Sequence, residues 1–340
     1  MGCPSWIWKL APFAAMVAVE CTDVGVSSIS KVALAHGMSK YVSVVYYNAL
    51  ATFFLAPFFF FNRKKRAPIT FSLLLTFFLL ALIGSSGQII FLAAVKLSSP
   101  TLSSALANLI PIFTFLLALL TRMETVDLRR SSSQAKCLGA IVSVAGAFIV
   151  TLYKGPALFL NSAKESHQKS EWILGGLLMV IVCLLSATWN IAQGATVKQY
   201  PEKITIVFFF TLFITIQSAV FSFIFETNPN AWILNSRIEI VAILFTGVFG
   251  SVFRIGIHTW CLEERGAVFV AMFKPLGIAI AQFITFIFLG DIVFVGSVMG
   301  SVIIAIGFYS VIWGQMQEKK QMPNSSILKA PLLHPTNSNL

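Results

Sequence analysis

Five ionisable side chains lie inside long apolar stretches of the sequence, where they could bind or carry charge. Glu20 and Asp23 are three residues apart, Arg254 and His258 are four apart, and Lys274 lies in the next apolar stretch. Residues at these spacings share one face of a helix, so each pair would project together. A charged side chain at lipid depth is costly and therefore needs a partner, a wet cavity or a function.

These side chains favour the binding of a small organic acid. Lys274, Arg254 and His258 would form a basic vestibule that attracts the carboxylate of a substrate. Glu20 would face them across the cavity and take up or release a proton, because burial disfavours a charged carboxylate; Asp23 is the second candidate for this proton coupling. The alternative is an internal ion pair, such as Glu20 with Lys274 or Arg254, that only fixes helix packing.

Prolines and uncharged amides extend the candidate site. Pro111 and Pro275 occupy matching places in the fourth and ninth apolar stretches, where a proline removes a helical hydrogen bond and can break the helix at a binding site. Four amides within apolar stretches either line the same pathway or bond between helices: Gln88, Asn108, Asn190 and Gln193.

Patterns typical of soluble catalysis are missing from the sequence. It contains neither G-x-x-x-x-G-K-[ST] for ATP nor H-E-x-x-H for a metal, and its four histidines are far apart. The five cysteines show no pairing or metal-binding spacing. We therefore expect no enzymatic activity, no cofactor and no metal ion.

The composition indicates that a lipid bilayer is the solvent of this protein. Of its 340 residues, 57% are hydrophobic and 11% are charged, with a mean hydropathy of +0.85, whereas soluble domains carry about 25% charged residues. The net charge of +11 comes from short basic clusters between apolar runs. Such clusters are typical of cytoplasmic loops and do not indicate a nucleic-acid partner.

Ten apolar stretches are long enough to cross about 30 Å of hydrocarbon as helices. Their unbroken hydrophobicity does not fit the alternation of barrel strands, so we predict an all-α integral membrane protein. The predicted spans are Leu10–Ser30, Tyr41–Phe61, Phe71–Val95, Thr101–Thr121, Ala135–Tyr153, Trp172–Gln193, Ile204–Phe225, Ile238–Trp260, Ala267–Leu289 and Ile292–Trp313.

An internal repeat predicts two related halves. Leu138–Phe148 matches Met299–Tyr309, with two glycines at the same separation in each. Five spans per half give the second half the opposite orientation, as in many secondary transporters with a midplane site. The four glycines favour close helix packing over substrate contact: Gly139, Gly146, Gly300 and Gly307. The predicted regions are a cytoplasmic N-terminus at 1–9, the first repeat at 10–153, a linker at 154–171, the second repeat at 172–313 and a disordered cytoplasmic tail at 314–340.

Motifs spread over nearly the whole chain resemble one plant transporter family. They include Ser98–Leu102, Asn108–Pro111, His258–Trp260, Val268–Leu276 and Ile306–Tyr309. In combination they resemble the nodulin-21-like transporters, also called walls-are-thin-related or usually-multiple-acids-move-in-and-out transporters, which are EamA-type members of the drug/metabolite transporter superfamily.

The resemblance implies a secondary transporter or facilitator that moves amino acids or related small metabolites, in some relatives auxin, across the plasma or vacuolar membrane. Its expected partners are a small-molecule substrate, protons and the bilayer; the sequence sets no oligomeric state. A rival interpretation is a non-transporting membrane receptor or scaffold that reuses the fold. A polar cavity that reaches the midplane distinguishes the two, because a scaffold would be closed by apolar packing.

The topology can be tested at a single sequon. About fifteen Lys and Arg residues fall on one set of loops and about seven on the other, which places both termini in the cytoplasm. The N-x-S/T sequon at Asn324 should therefore stay unmodified when the protein is expressed in plant cells. A glycosidase-sensitive mobility shift on gels measures this, with a sequon engineered into the 154–171 linker as the positive control. A glycan at Asn324 would reverse the topology.

Overall fold

The described part of the chain consists of helices joined by short turns. The computed structural model describes residues 5–61, 69–97, 103, 106–123, 129–152, 169–200, 202–234, 236–289 and 295–321. Every regular element within these ranges is helical, which confirms the all-α prediction. The helices are α1 (Ser5–Ala35), α2 (Lys40–Phe61), α3 (Phe71–Leu97), α4 (Ile110–Leu120), α5 (Ser131–Leu152), α6 (Lys169–Gln199), α7 (Lys203–Phe225), α8 (Arg237–Arg265), α9 (Ala267–Leu289) and α10 (Val295–Gln321).

Helix length and surface chemistry identify a multi-pass membrane protein. Among the described helices, seven are long and apolar enough to cross a membrane, namely α1, α2, α3, α5, α6, α7 and α8. Shorter apolar stretches lie in α4, α9 and α10. Large side chains such as Phe53 and Phe223 are exposed, as expected for a surface covered by lipid. The count of ten crossings remains a prediction.

Several helix ends differ from the predicted spans. Helix α1 begins at Ser5 and α6 at Lys169, so both start before the expected residues. Helix α10 continues to Gln321, about two turns into the segment expected to be a disordered tail. Residues 315–321 are Gln, Met, Glu and Lys, which are good helix formers, and the first proline follows at Pro323. The rest of the tail, residues 1–4 and positions 154–168 of the linker lie outside the described ranges.

A turn divides the predicted span Thr101–Thr121, since residues 103, 106 and 107 are helical before it and helix α4 follows it. A turn at Asn108 and Leu109 precedes its first residue, Ile110, and Pro111 lies in its first turn. A proline is tolerated there because the first amides of a helix have no helical acceptor, whereas in the middle of a helix it would remove a bond.

A wide turn interrupts α8 in the middle of a predicted span, where residue spacing indicates an ordinary helix. Residues Thr246–Phe253 form a π-helical segment between two α-helical parts. Its glycines permit close packing: a Cβ at Gly247 would meet Leu50 of α2, and a Cβ at Gly250 would lie 3.4 Å from Val26 of α1. π-Helical turns are uncommon and often mark functional sites. This one ends directly before Arg254.

The helix contacts follow a paired pattern. Helix α5 packs along α10, α2 against α7, and α4 against α9. Helix α1 contacts α8 and α9, while α6 contacts α3 and α4. Each of the contacts named here has a counterpart when α1 to α5 are exchanged for α6 to α10. We therefore propose that the two halves are inverted repeats related by an approximate two-fold axis.

The glycines of the internal repeat lie where α5 crosses α10. A Cβ on Gly139 would come within 2.6 Å of the Gly307 carbonyl oxygen, and a Cβ on Gly146 within 2.9 Å of the Gly300 carbonyl oxygen. The hydroxyl of Ser143 also donates to the Ile304 carbonyl across the crossing, at 3.3 Å. Two helix backbones are therefore in direct contact, as in small-residue packing between membrane helices.

Replacing Gly307 tests this crossing. In Gly307→Ala the new methyl group would meet the backbone of Ser143 and Gly139, neither of which can move aside. We expect a loss of about 1–3 kcal/mol in stability, typical of overpacking, measured as a lower unfolding temperature in detergent. Gly256→Ala is the matched control, because its Cβ would meet nothing within 4 Å. Equal unfolding temperatures for the two variants would contradict the assignment.

Candidate functional site

A cavity of about 400 Å³ lies between helices of both halves. Residues of α2, α3, α4, α6, α7, α8 and α9 line it, together with Ala107 just before α4. Small-molecule sites of proteins usually enclose about 300–1,000 Å³. The volume therefore suits an amino acid or another small metabolite.

Five of the residues predicted for the site line this cavity: Gln88, Asn190, Arg254, His258 and Lys274. Most of the remaining wall is apolar, and it includes three aromatic side chains, Phe91, Trp189 and Phe210. Lys274 and Arg254 are its only charged side chains within the part of the chain that the structure describes. The wall is thus electropositive and carries no carboxylate.

The two acids of α1 lie directly against these cations. The Nζ atom of Lys274 is 3.2 Å from Oε1 of Glu20 and 3.5 Å from Oδ2 of Asp23. The Nε atom of Arg254 is 3.8 Å from Oδ1 of Asp23 and also donates to the Gly250 carbonyl at 2.7 Å. Two acids and two bases form one cluster, which we call the ionic quartet: Glu20, Asp23, Arg254 and Lys274.

The acids occupy a different place from the one expected. Glu20 and Asp23 were expected across the cavity from the basic residues, yet neither is among the described residues that line it. They lie behind Lys274, on the α1 side of α9. The reason is the small residue one turn after Lys274: a Cβ on Gly277 would collide with the Glu20 carboxylate. Glycine at this position lets the carboxylate approach the α9 backbone.

The members of the quartet differ in their access to solvent. The Glu20 side chain is 5% exposed, whereas Lys274 is 32% exposed and Arg254 is 35% exposed. Each cation therefore contacts an acid on one side and lines the cavity on the other. The two alternatives drawn from the sequence, an internal ion pair and a cation that faces a cavity, each describe part of this arrangement.

Three buried polar atoms on the cavity wall have no hydrogen-bond partner among the described residues. They are Oε1 of Gln88, Nε1 of Trp189 and Nε2 of His258. The His258 ring lies 6.5 Å from the Trp189 ring. Buried polar groups are normally satisfied, so such a group at a binding cavity is a candidate contact for a bound molecule.

Two of the four predicted amides lie off the cavity. Gln193 is fully buried and its Nε2 donates to the Thr259 hydroxyl at 2.7 Å, which links α6 to α8. Asn108 is also buried, in the turn before α4, next to the cavity residue Ala107. For Gln193 the structure therefore favours the interhelical alternative.

The two prolines differ in their effect on the helix. Pro111 follows the turn that opens α4, whereas α9 runs through Pro275 without a break. A helix can continue through a proline when neighbouring groups accommodate the lost bond. Because Pro275 has no amide hydrogen, the carbonyl of Ala271 four residues earlier loses its usual helical donor. Ala271 lines the cavity.

Sequence reasoning missed three contributors to the site. Trp189 carries an indole N–H deep in an apolar helix, a group that usually needs a partner when buried and could have been noticed. Asn48 of α2 also lines the cavity and is a further amide in an apolar stretch. Gly277 gave no signal, because a glycine in a membrane helix is common.

Known proteins similar to this chain are plant membrane proteins. Three WAT1-related proteins of Arabidopsis thaliana match it: the first is 43% identical over 96% of this chain and 94% of its own length, the second 43% over 92% and 91%, and the third 41% over 91% and 87%. No protein-family model matches the chain.

A solved crystal structure has the same overall fold. It superposes with a TM-score of 0.70 over 91% of this chain and 98% of its own, at 12% sequence identity. At that identity the likeness concerns the fold alone.

Removing one member of the quartet tests its energetics. Lys274→Met would leave Glu20 buried beside Asp23 with only Arg254 to balance them. Breaking a buried pair costs about 3–5 kcal/mol, and we expect the lower end because Lys274 is partly accessible. Adding Glu20→Gln should restore most of the loss, measured by thermal unfolding in detergent at neutral pH.

The matched control is Lys203→Met. Lys203 pairs with Glu263, and both side chains are about a third exposed, so the change should cost no more than about 1 kcal/mol. A double variant no more stable than Lys274→Met alone would contradict the pairing with Glu20.

Proposed function

The chain belongs to the WAT1-related family of plant EamA-type drug/metabolite transporters, and we propose that it moves amino acids or related small carboxylates, auxin among the candidates, by alternating access. The transporter class rests on relatives that match over nearly the whole chain. Relatives of this kind are transporters and not enzymes. The substrate class and the mechanism are the proposal.

The observation that carries the proposal is the position of Lys274. Its ammonium group balances two acids on one side, while the residue lines a 400 Å³ cavity on the other. Arg254 lines the same wall. A carboxylate is the group that two adjacent cations bind best, through charge-assisted hydrogen bonds. Lys274 would hold the substrate carboxylate, with Arg254 beside it.

The rest of the wall supports a small organic molecule as the substrate. Phe91, Trp189 and Phe210 offer an apolar surface, while Gln88 and Asn190 offer amides. An amide oxygen can accept from an ammonium or amide group of a substrate, and the Trp189 indole can donate to an oxygen. Amino acids and indole carboxylates both match this mixture of a charged end and an apolar body.

An apolar cluster lies between the cavity and the turn that joins α8 to α9. Leu117, Met123, Ile191 and Leu262 belong to it, and each follows the last cavity-lining residue of its own segment along the chain. Together with Ala267 at the start of α9 it packs that end closed. Alternating access requires this cluster to open in the opposite state while the other end closes. In the predicted topology the closed end faces the cytoplasm, as do both termini, in the plasma or vacuolar membrane.

The cavity also bears on the rival interpretation. A receptor or scaffold that reuses the fold needs no polar chamber between its halves, and apolar side chains would fill it. The wall instead carries two cations, a histidine and amides, and such groups are expensive at lipid depth unless they have a use. The cavity therefore favours transport over scaffolding.

Uptake into proteoliposomes tests the function. The purified protein should accumulate or equilibrate members of a panel of radiolabelled amino acids and indole carboxylic acids faster than empty liposomes do. Lys274→Gln should lower kcat/KM for every transported carboxylate by about 10- to 100-fold, the worth of a hydrogen bond to a charged group. Lys198→Gln is the control, since Lys198 is exposed at the end of α6. Normal uptake by Lys274→Gln at normal expression would refute its role, and no uptake of any panel member would refute the function.

A further inference from the structure

We propose that each substrate carboxylate enters the site together with one proton, which binds to Glu20. The proposal deepens the proposed function and rests on it, because it assumes that Lys274 holds the substrate carboxylate. It follows from the charge balance of the ionic quartet, from the accessibility of its members and from the packing around Glu20.

The empty site is already neutral. Glu20 and Asp23 supply two negative charges, and Lys274 and Arg254 supply two positive charges, all linked by contacts between 3.2 and 3.8 Å. No cation of the quartet is therefore left over for a substrate. A carboxylate that arrives at Lys274 adds a third anion to two cations at lipid depth, where uncompensated charge is strongly disfavoured. One proton restores the charge balance among the quartet and the bound carboxylate group, wherever a substrate ammonium group lies in the cavity.

Lys274 is the member that can change partners. Its ammonium is a compact charge with three donors at the end of a flexible stem. It contacts both acids, lines the cavity and keeps about a third of its side-chain surface accessible. A substrate carboxylate in the cavity would draw the ammonium away from the acids behind it. The ion pair with Glu20 would then be replaced by an ion pair with the substrate.

The proton goes to Glu20 because Asp23 keeps another partner. Arg254 lies 3.8 Å from Asp23 and is held in place by its bond to the Gly250 carbonyl. Glu20 has its described ion-pair contact with Lys274 alone, and its side chain is 5% exposed against 24% for Asp23. A carboxylate that loses its cation in such a place is more stable when protonated.

Among the described residues, the surroundings of Glu20 supply no substitute cation. The elements that pack against α1 are α8 and α9. Their charged groups near Glu20 are Arg254 and Lys274, and Asp23 on its own helix adds a negative charge. On the α9 side the carboxylate abuts Gly277, where not even a methyl group would fit. Protonation is thus the available way to neutralise Glu20.

The cycle conserves charge and matter. Glu20 takes a proton from the solution that also supplies the substrate, and no bond other than this O–H is made. After the opposite side opens, the substrate leaves, the proton leaves, and Lys274 returns to Glu20. A zwitterionic amino acid would then carry one net positive charge across, whereas a singly charged carboxylate without an ammonium group would cross with no net charge.

Two probes that differ only in the ammonium group test the stoichiometry. Glutamine and N-acetylglutamine carry the same carboxylate, and proton movement is followed with a pH-sensitive dye in proteoliposomes beside radiolabel uptake and membrane current. We expect one proton per molecule for both, with a current for glutamine and none for N-acetylglutamine. At zero voltage, a gradient of one pH unit, alkaline inside, should accumulate glutamine about tenfold. If glutamine is not carried, the panel amino acid taken up fastest replaces it.

A variant of Glu20 separates proton coupling from transport itself. Glu20→Gln keeps the shape of the side chain but cannot release a proton, so it should exchange labelled for unlabelled substrate across the membrane and lose accumulation driven by the pH gradient. The control is Glu239→Gln, a change at a buried carboxylate in the N-terminal cap of α8, outside the quartet. It should keep gradient-driven accumulation, because glutamine also completes such a cap.

The outcomes are distinct. Uptake by the wild-type protein without proton movement, or gradient-driven accumulation by Glu20→Gln, would overturn this inference and leave the proposed function standing. Absence of uptake for every member of the panel would remove the proposed function and this inference with it.

Discussion

The structure depends on one lysine ammonium held between two carboxylates at lipid depth. Lys274 Nζ lies 3.2 Å from Glu20 and 3.5 Å from Asp23. Separating these charges in hydrocarbon would cost far more than any single packing contact, so α1 and α9 have to meet at this point. Arg254 draws α8 to the same place. The ion pairs that hold α1, α8 and α9 together therefore also position Lys274 and Arg254 at the cavity wall.

The charged part of the site could be predicted from the sequence because lipid makes it conspicuous. Glu20, Asp23, Arg254 and Lys274 stand out against apolar stretches, and the cost of burying them implies that they meet. Their arrangement around the cavity could not be predicted. Helical spacing shows which residues share a face of one helix, but it does not show which other helix packs against that face. The position of the acids behind Lys274 depends on the space left at Gly277. A glycine within an apolar stretch barely changes the hydrophobicity pattern, so the pattern does not reveal that space.

The all-α fold and most helix positions followed from hydrophobic length, which is a strong signal in membrane proteins. Irregular backbone was harder to foresee. The late start of α4 agrees with Pro111 in its first turn, but the π-helical segment Thr246–Phe253 contains no proline and resembles any apolar helix in composition. Its glycines pack closely against α1 and α2. Such tertiary contacts cannot be predicted from residue spacing.

The crossing of α5 and α10 constrains how the molecule can change shape. Where Gly139 and Gly307 bring two main chains together, backbone contacts backbone, which leaves little room for one helix to slide along the other. The crossing of α5 and α10 would therefore act as a pivot and not as a sliding contact. The displacement of the other helices would grow with their distance from it. Helices far from the crossing would move furthest in each transport cycle. The lipid beside those helices would therefore be displaced more than the lipid beside α5 and α10.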